Sequence, residues 1–187
     1  DILAYYVWIP RYKYKIWSVD DDGKNGKEQT IDIQFESTDT ISTGTTVGSY
    51  ITHPAFWWDN DSDGVRDSGE ELAGIWVGKF ETTGTADSPT ILPNVTSLRN
   101  QNASTQFVTS QKLGTSTYGS TSKVDAHMMK NSEWGAVAYL SHSKYGANRE
   151  IYINNSFDYY TGRSGGNVGG STAINTVYPD QTSTTQY

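Results

Sequence analysis

The feature that most constrains this fold is an acidic segment, DNDSDGVRDSGEE at 59–71, which lies between two stretches rich in aromatic and aliphatic residues. Its spacing matches a calcium loop of the EF-hand type, with acids at alternate positions, a glycine at the bend and a late glutamate that closes the coordination sphere. The residues in ligand positions are Asp59, Asp61, Asp63, Val65 through its carbonyl, Asp67 and Glu70. Alternate acids in a tight turn bring oxygen atoms to one point, and without a cation so many carboxylates would repel one another. We therefore predict one Ca²⁺ at 59–70, and the alternative is an acidic surface turn.

The flanking residues indicate what kind of calcium site this is. Phe56-Trp57-Trp58 precede the loop and Leu72 to Val77 follow it. Both stretches have the composition of strands rather than the periodicity of the paired helices in a switching EF-hand. The prediction is a static staple between two strands, with the weak affinity that is typical of extracellular calcium sites.

Composition excludes several classes of function. The absence of cysteine among the 187 residues excludes thiol nucleophiles, thiolate zinc sites and iron–sulfur clusters. The net charge of −7 argues against nucleic acid as a partner, because neutralising phosphates takes clustered Lys and Arg. No apolar run approaches the roughly 18 residues that a membrane span needs. Abundant Tyr and Trp, few charges and polar loops favour an extracellular or cell-surface protein of bacterial origin.

The hydrophobic pattern predicts an α+β fold with a mixed sheet, two helices and long irregular loops. Residues 2–19 indicate two short strands, or one strand bent at Pro10. Residues 29–36 alternate Ile31, Ile33 and Phe35 with polar partners, which predicts a hairpin across the turn at 20–27. Another strand is expected over 74–82.

Two stretches have helical spacing. The first runs over 97–113 and ends before Gly114, and the second begins at Asn131 or Ser132 with Glu133 in its first turn. Residues 151–153 predict a short strand, and 161–187 form a Gly/Ser/Thr-rich loop or tail. We therefore expect a single domain over 1–160.

The histidines do not form a recognisable catalytic pattern. His53, His127 and His142 lack metal-ligand spacing, and Asp125 with His127 has no nucleophile elbow that would support a Ser-His-Asp arrangement. The glycine-rich stretch at 165–170 lacks the Lys-Ser/Thr ending of a phosphate loop. We predict no catalytic residues and no enzymatic activity; the alternative is an enzyme, either a hydrolase using Asp and His or a degraded oxidase.

Aromatic side chains near polar loops can stack on sugars. The candidates for ligand binding are Trp57, Trp58, Tyr159 and Tyr160. The alternative for each is packing in the core or between subunits.

Two segments carry a resemblance to a known family. GIWVGKFETT at 74–83 resembles the opening strand of the formylglycine-generating enzyme (sulfatase-modifying factor) family, and HMMKNSEWGAVAYLSHS at 127–143 resembles that family's helix around a glutamate-tryptophan pair, here Glu133-Trp134. With VWIPRYKYKI at 7–16 and THPAFWW at 52–58, the chain also resembles uncharacterised surface and pilin-like proteins of Firmicutes. The resemblance implies a C-type-lectin-like domain.

The departures from that family limit what can be carried over. Its oxidase activity depends on cysteines, which this chain lacks, and the motif that closes its fold toward the C-terminus is missing here. The expected function is a non-enzymatic extracellular module, structural or adhesive, stabilised by one calcium ion. Its partner is then a carbohydrate or host-surface ligand. The alternative is a subunit of an extracellular filament or pilus, built by contacts between identical copies.

Overall fold

The computed structural model describes residues 1–15, 30–44, 48–67, 69–121 and 124–149. The strands are β1 (Tyr6–Pro10), β2 (Tyr12–Lys15), β3 (Asp32–Phe35), β4 (Ile51–Thr52), β5 (Gly74–Gly78), β6 (Thr83–Gly84) and β7 (Pro89–Thr90). The helices are α1 (Ala103–Lys112) and α2 (Asn131–Ser141), with short 3₁₀ turns at Pro54–Phe56 and Ser116–Tyr118. An α+β fold with two helices is confirmed for the described residues, but their strands form three small sheets, β1-β5, β3-β2-β4 and β6-β7, rather than the one mixed sheet predicted.

Contacts between residues divide the chain into two units, and neither is continuous in sequence. The described residues of the first unit are 1–13, 35–43, 51–67, 69–121 and 124–137. Those of the second are 14–15, 30–34, 44, 48–50 and 138–149. The predicted domain boundary at 160 and the tail at 161–187 lie outside the described residues.

Strands β1 and β5 form a two-stranded antiparallel ribbon. Trp8 lies directly opposite Trp76, and their rings are 5.0 Å apart at an interplanar angle of 54°. Gly74 leaves room for this pair, since a Cβ there would come within 2.4 Å of the Trp8 ring. Trp76 nevertheless remains 66% exposed and Trp8 40% exposed, so this face of the ribbon is open to solvent.

The hydrogen-bond pattern explains why a proline is accepted in β1. Backbone bonds at the two ends of the ribbon, Lys79 N to Tyr5 O and Arg11 N to Ala73 O, are both 2.9 Å long. In an antiparallel pair the bonded positions alternate, so the odd-numbered residues of β1 make the ladder. Pro10 therefore occupies an outward-facing position where its missing N–H breaks no bond. The predicted interruption at Pro10 is confirmed as the end of β1.

The core of the first unit gathers around Tyr12, which is fully buried. Its ring contacts those of His53 and Phe56, at centroid distances of 5.3 and 5.2 Å. Its hydroxyl donates a 2.7 Å hydrogen bond to the carbonyl of Ala136 in α2. Burial lowers the pKa of His53 to about 4, so this histidine is neutral and acts as a core residue.

A second sheet has the strand order β3-β2-β4. The neighbouring positions of β2 and β3 agree with the predicted hairpin, whose turn at 20–27 lies outside the described residues. Ile31 and Ile33 are buried, whereas Phe35 is exposed. Phe35 is the last residue of β3, and the burial of this face of the strand does not reach it.

Both helices begin at side chains that satisfy free backbone N–H groups. The Asn102 side chain accepts a 2.8 Å bond from Thr105 N at the start of α1. At α2, the Glu133 carboxylate accepts a 2.7 Å bond from Lys130 N, as in a capping box. The sequence predicted the first turn of α2 correctly, but it placed the start of α1 too early.

Candidate calcium loop and its buried anchor

The acidic loop is closed at its base by a short antiparallel ladder. Trp57 and Glu71 form a bridge, Trp58 N donates to Glu70 O at 2.9 Å, and Leu72 N donates to Phe56 O at 2.8 Å. The predicted strand after the loop is confirmed as β5. The stretch before the loop was also predicted to be a strand, but the chain there passes through the 3₁₀ turn Pro54–Phe56. The His53 side chain caps this turn by accepting a hydrogen bond from Ala55 N.

Three of the predicted ligands converge at the loop tip. One carboxylate oxygen from each of Asp59, Asp61 and Asp63 lies within 4.8 Å of the others. Among the described residues, these three aspartates are the acids or histidines whose side chains lie close enough together to hold a metal ion. Asp61 and Asp63 are exposed, and Asp59 is half-buried. Oxygen-only ligands suit a hard cation such as Ca²⁺.

Backbone N–H groups orient these carboxylates. Asp59 accepts bonds from Asp63 N at 3.2 Å and from Gly64 N at 3.0 Å, while Asp63 accepts one from Val65 N at 2.7 Å. The tight turn needs left-handed backbone at Ser62 and Gly64, with φ of 65° and 76°. Glycine takes that conformation without steric cost, which accounts for Gly64 at the bend.

The later predicted ligands occupy different positions. Val65 is exposed, and Asp67 lies outside the cluster of three aspartates. Glu70 is only 3% exposed. Its carboxylate accepts bonds from Asp67 N at 3.0 Å, Trp57 Nε1 at 2.8 Å and Asn60 N at 2.9 Å, and these bonds lower the pKa of Glu70.

The next residue along the chain connects the loop to a buried arginine. Glu71 pairs with Arg66 of the loop and with Arg11, which also pairs with Glu36 at 3.2 Å. Burial acts to raise the pKa of Glu71, but the hydrogen bonds and charges of Arg66 and Arg11 outweigh it and leave the pKa lowered. The result is an alternating row of charges, Glu36–Arg11–Glu71–Arg66.

Arg11 is 1% exposed and is the centre of this row. Its guanidinium also donates to the carbonyls of Phe56 at 3.1 Å and Thr40 at 2.9 Å, while its buried Nε has no hydrogen-bond partner. Arg11 was not among the functional residues predicted from the sequence. The available signal was a lone arginine within the apolar and aromatic run at 7–16.

Two of the four residues predicted to stack on sugars, Trp57 and Trp58, lie in the described part of the chain. The Trp57 indole N–H donates to Glu70, so this ring is held as part of the loop base, whereas Trp58 is exposed. Tyr159 and Tyr160 lie outside the described residues. Among the described residues, Trp8 and Trp76 form an exposed aromatic pair that the sequence did not single out.

The histidines form no common site. His53 is in the core, and His127 lies between two acids, with Nε2 at 2.9 Å from Glu133 Oε1 and Nδ1 at 3.1 Å from Asp125 Oδ2. The contact with Asp125 lacks the geometry of a hydrogen bond, and Nδ1 has no other partner. Since Glu133 also accepts from Lys130 N, this cluster fastens the segment before α2 to the first turn of that helix.

Comparison with known protein families, with characterised proteins and with solved structures finds no match for this chain. None of the helices in the described part of the chain has the length and apolar character needed to span a membrane.

Proposed function

We propose that this chain is a non-enzymatic extracellular module, structural or adhesive, stabilised by one calcium ion at the tip of the 59–70 loop. The observation that carries the proposal is the convergence of Asp59, Asp61 and Asp63, held in place by backbone N–H groups. The cation offsets the mutual repulsion of these carboxylates. The bound cation would stabilise the tip of a loop whose base is already held to the core by the ion pairs of Glu71.

The three aspartates fit Ca²⁺ better than a transition metal. They offer oxygen only, and they are exposed enough to leave positions for water, which Ca²⁺ accommodates in a flexible sphere. Softer divalent metals favour imidazole or thiolate ligands, and the acids and histidines of the described residues give no such group. An open site of this kind agrees with millimolar calcium outside the cell and with extracellular localisation.

Calcium titration by calorimetry tests the proposal directly. We expect one ion per chain in the wild type and loss of binding in Asp61→Asn, which removes a ligand charge at an exposed position. Asp39→Asn serves as the matched control, because Asp39 is an exposed acid of the same unit. Absence of heat and of any calcium-dependent rise in melting temperature in the wild type would refute the calcium staple.

The family of α+β folds to which this chain belongs is a second part of the proposal. We infer a C-type-lectin-like domain because short sheets, two helices and long connecting loops accompany the segments that resemble the sulfatase-modifying factor family. Determination of an experimental structure with calcium would test it, and a closed β-barrel or helical bundle would contradict it.

A filament subunit is the second candidate, and the exposed apolar side chains of the first unit favour it. Trp76, Trp134, Phe107 and Val108 are each about half exposed or more, and contacts between copies would remove such apolar side chains from water. Contacts of one such surface with a different surface of the next copy build open fibres. Negative-stain images and sedimentation of the wild type and of Trp76→Ser distinguish the candidates, since only a filament is shortened by the substitution.

A further inference from the structure

We infer that Glu70 is the clasp that closes the acidic loop, and that it performs this role through hydrogen bonds rather than as a ligand of the ion. This role of Glu70 concerns the conformation of the loop and does not depend on a bound ion. Its consequence for coordination rests on the calcium site proposed above.

The carboxylate of Glu70 is occupied on both oxygens. Oε1 accepts from Asn60 N, and Oε2 accepts from Trp57 Nε1 and Asp67 N, all at 2.8–3.0 Å. A glutamate that closes a calcium sphere presents both oxygens to the ion. Glu70 also differs from the three aspartates in burial and position, because it is only 3% exposed and lies outside the group of carboxylates whose oxygens are within 4.8 Å of one another.

The positions of the three donors explain what the clasp joins. Asn60 lies at the start of the loop, Asp67 near its end, and Trp57 in the segment before it. One buried carboxylate therefore ties both ends of the loop to its base. The neighbouring ion pair from Arg66 to Glu71 fastens the same end of the loop to Arg11.

This arrangement separates two functions within one acidic segment. The aspartates at the loop tip provide negative charge that attracts an ion, and the buried glutamate holds the loop in its conformation. Because the shape is fixed by hydrogen bonds within the chain, the loop keeps its conformation without an ion. Binding should then involve little reorganisation, since Asp59, Asp61 and Asp63 are already in place.

The test compares Glu70→Gln with Asp61→Asn, using Asp39→Asn as the control for loss of one exposed acid. Glutamine keeps one acceptor oxygen, but its amide nitrogen faces an N–H donor and cannot replace the second oxygen. The readouts are melting temperature in a chelator, calcium titration by calorimetry, and the indole N–H resonance of Trp57 by NMR. The last readout reports the Trp57–Glu70 bond itself.

With calcium absent, we expect Glu70→Gln to lower the melting temperature by about 5 °C and to shift the Trp57 N–H resonance. Asp61→Asn should leave both unchanged. With calcium present, Glu70→Gln should still bind one ion within about tenfold of the wild-type affinity, whereas Asp61→Asn should lose at least that factor.

Two outcomes would overturn the inference. One is an unchanged melting temperature and Trp57 resonance for Glu70→Gln in the chelator. The other is loss of calcium binding in a stably folded Glu70→Gln, together with a large calcium-induced shift of the wild-type Trp57 resonance, because Glu70 would then turn toward the ion. A wild type that binds no calcium refutes the proposed staple alone, since the chelator arm still decides whether the clasp exists.

Discussion

Replacement of Arg11 by methionine should destabilise the protein more than any other single substitution among the charged side chains of the described residues. Methionine fills much of the same volume, but it removes the positive charge between Glu36 and Glu71. It also removes the hydrogen-bond donors to the backbone carbonyls of Phe56 and Thr40. Arg66 remains beside Glu71, whereas Glu36 keeps only hydroxyl partners, with Thr52 Oγ1 at 2.5 Å as the nearest.

The expected magnitude follows from this burial. Removing one partner of a buried ion pair costs about 3–5 kcal/mol, since the other charge is left uncompensated. That is a large share of a total free energy of unfolding of roughly 5–15 kcal/mol. For a chain of this size it corresponds to a fall in melting temperature of about 10 °C.

Denaturation in urea, followed by circular dichroism, measures this loss. Arg66→Met is the matched control, because Arg66 contacts the same Glu71 from a more exposed position and should cost no more than about 1 kcal/mol. A double-mutant cycle with Glu71→Gln should give a coupling energy of about 0.5–3 kcal/mol. A loss of stability in Arg11→Met no larger than that in Arg66→Met, or a cycle without coupling, would refute this prediction.

Three further substitutions or conditions test other parts of the structure. Tyr12→Phe removes the buried hydrogen bond to Ala136 O and should cost about 1–2 kcal/mol in urea denaturation; an unchanged midpoint would show that the bond contributes nothing. Gly74→Ala places a Cβ against the Trp8 ring and the β1 backbone, so about 1–3 kcal/mol should be lost and the near-ultraviolet dichroism of the tryptophans should change; retention of both would contradict the close approach. The lowered pKa of Glu71 stabilises the fold above the unfolded-state pKa of roughly 4.3, and this contribution is lost as the pH falls through the folded-state value. The melting temperature should therefore drop on acidification below about pH 5, and a Glu71→Gln variant that drops equally would exclude this cause.

The sequence predicted those parts of the structure that depend on interactions between residues close together in the chain. The three aspartates converge because alternate residues of one turn fall on one side of it, and α2 begins where Glu133 can cap it. Arg11 could not be found in this way. Its partners Glu36 and Glu71 are distant in sequence, and only the folded chain brings them together in the core.

The function of Glu70 shows a second limit of sequence reasoning. A glutamate at the end of an acidic loop suits both coordination and hydrogen bonding to the loop backbone, and residue type and spacing are the same for the two roles. The burial of Glu70 and its three N–H donors distinguish them. For Phe35 the alternation gave the correct period, but the burial of one face did not extend to the last residue of β3.

The crossed tryptophan rings of the β1–β5 ribbon give this protein a spectroscopic label of its own. Two indoles at 5.0 Å with tilted planes couple their electronic transitions, and coupled transitions produce a pair of circular dichroism bands of opposite sign. The signal depends on Trp8 and Trp76 staying in register, so it reports the pairing of two strands rather than helix content. Partial opening of the ribbon can thus be followed separately from melting of the rest of the chain, without attaching any dye.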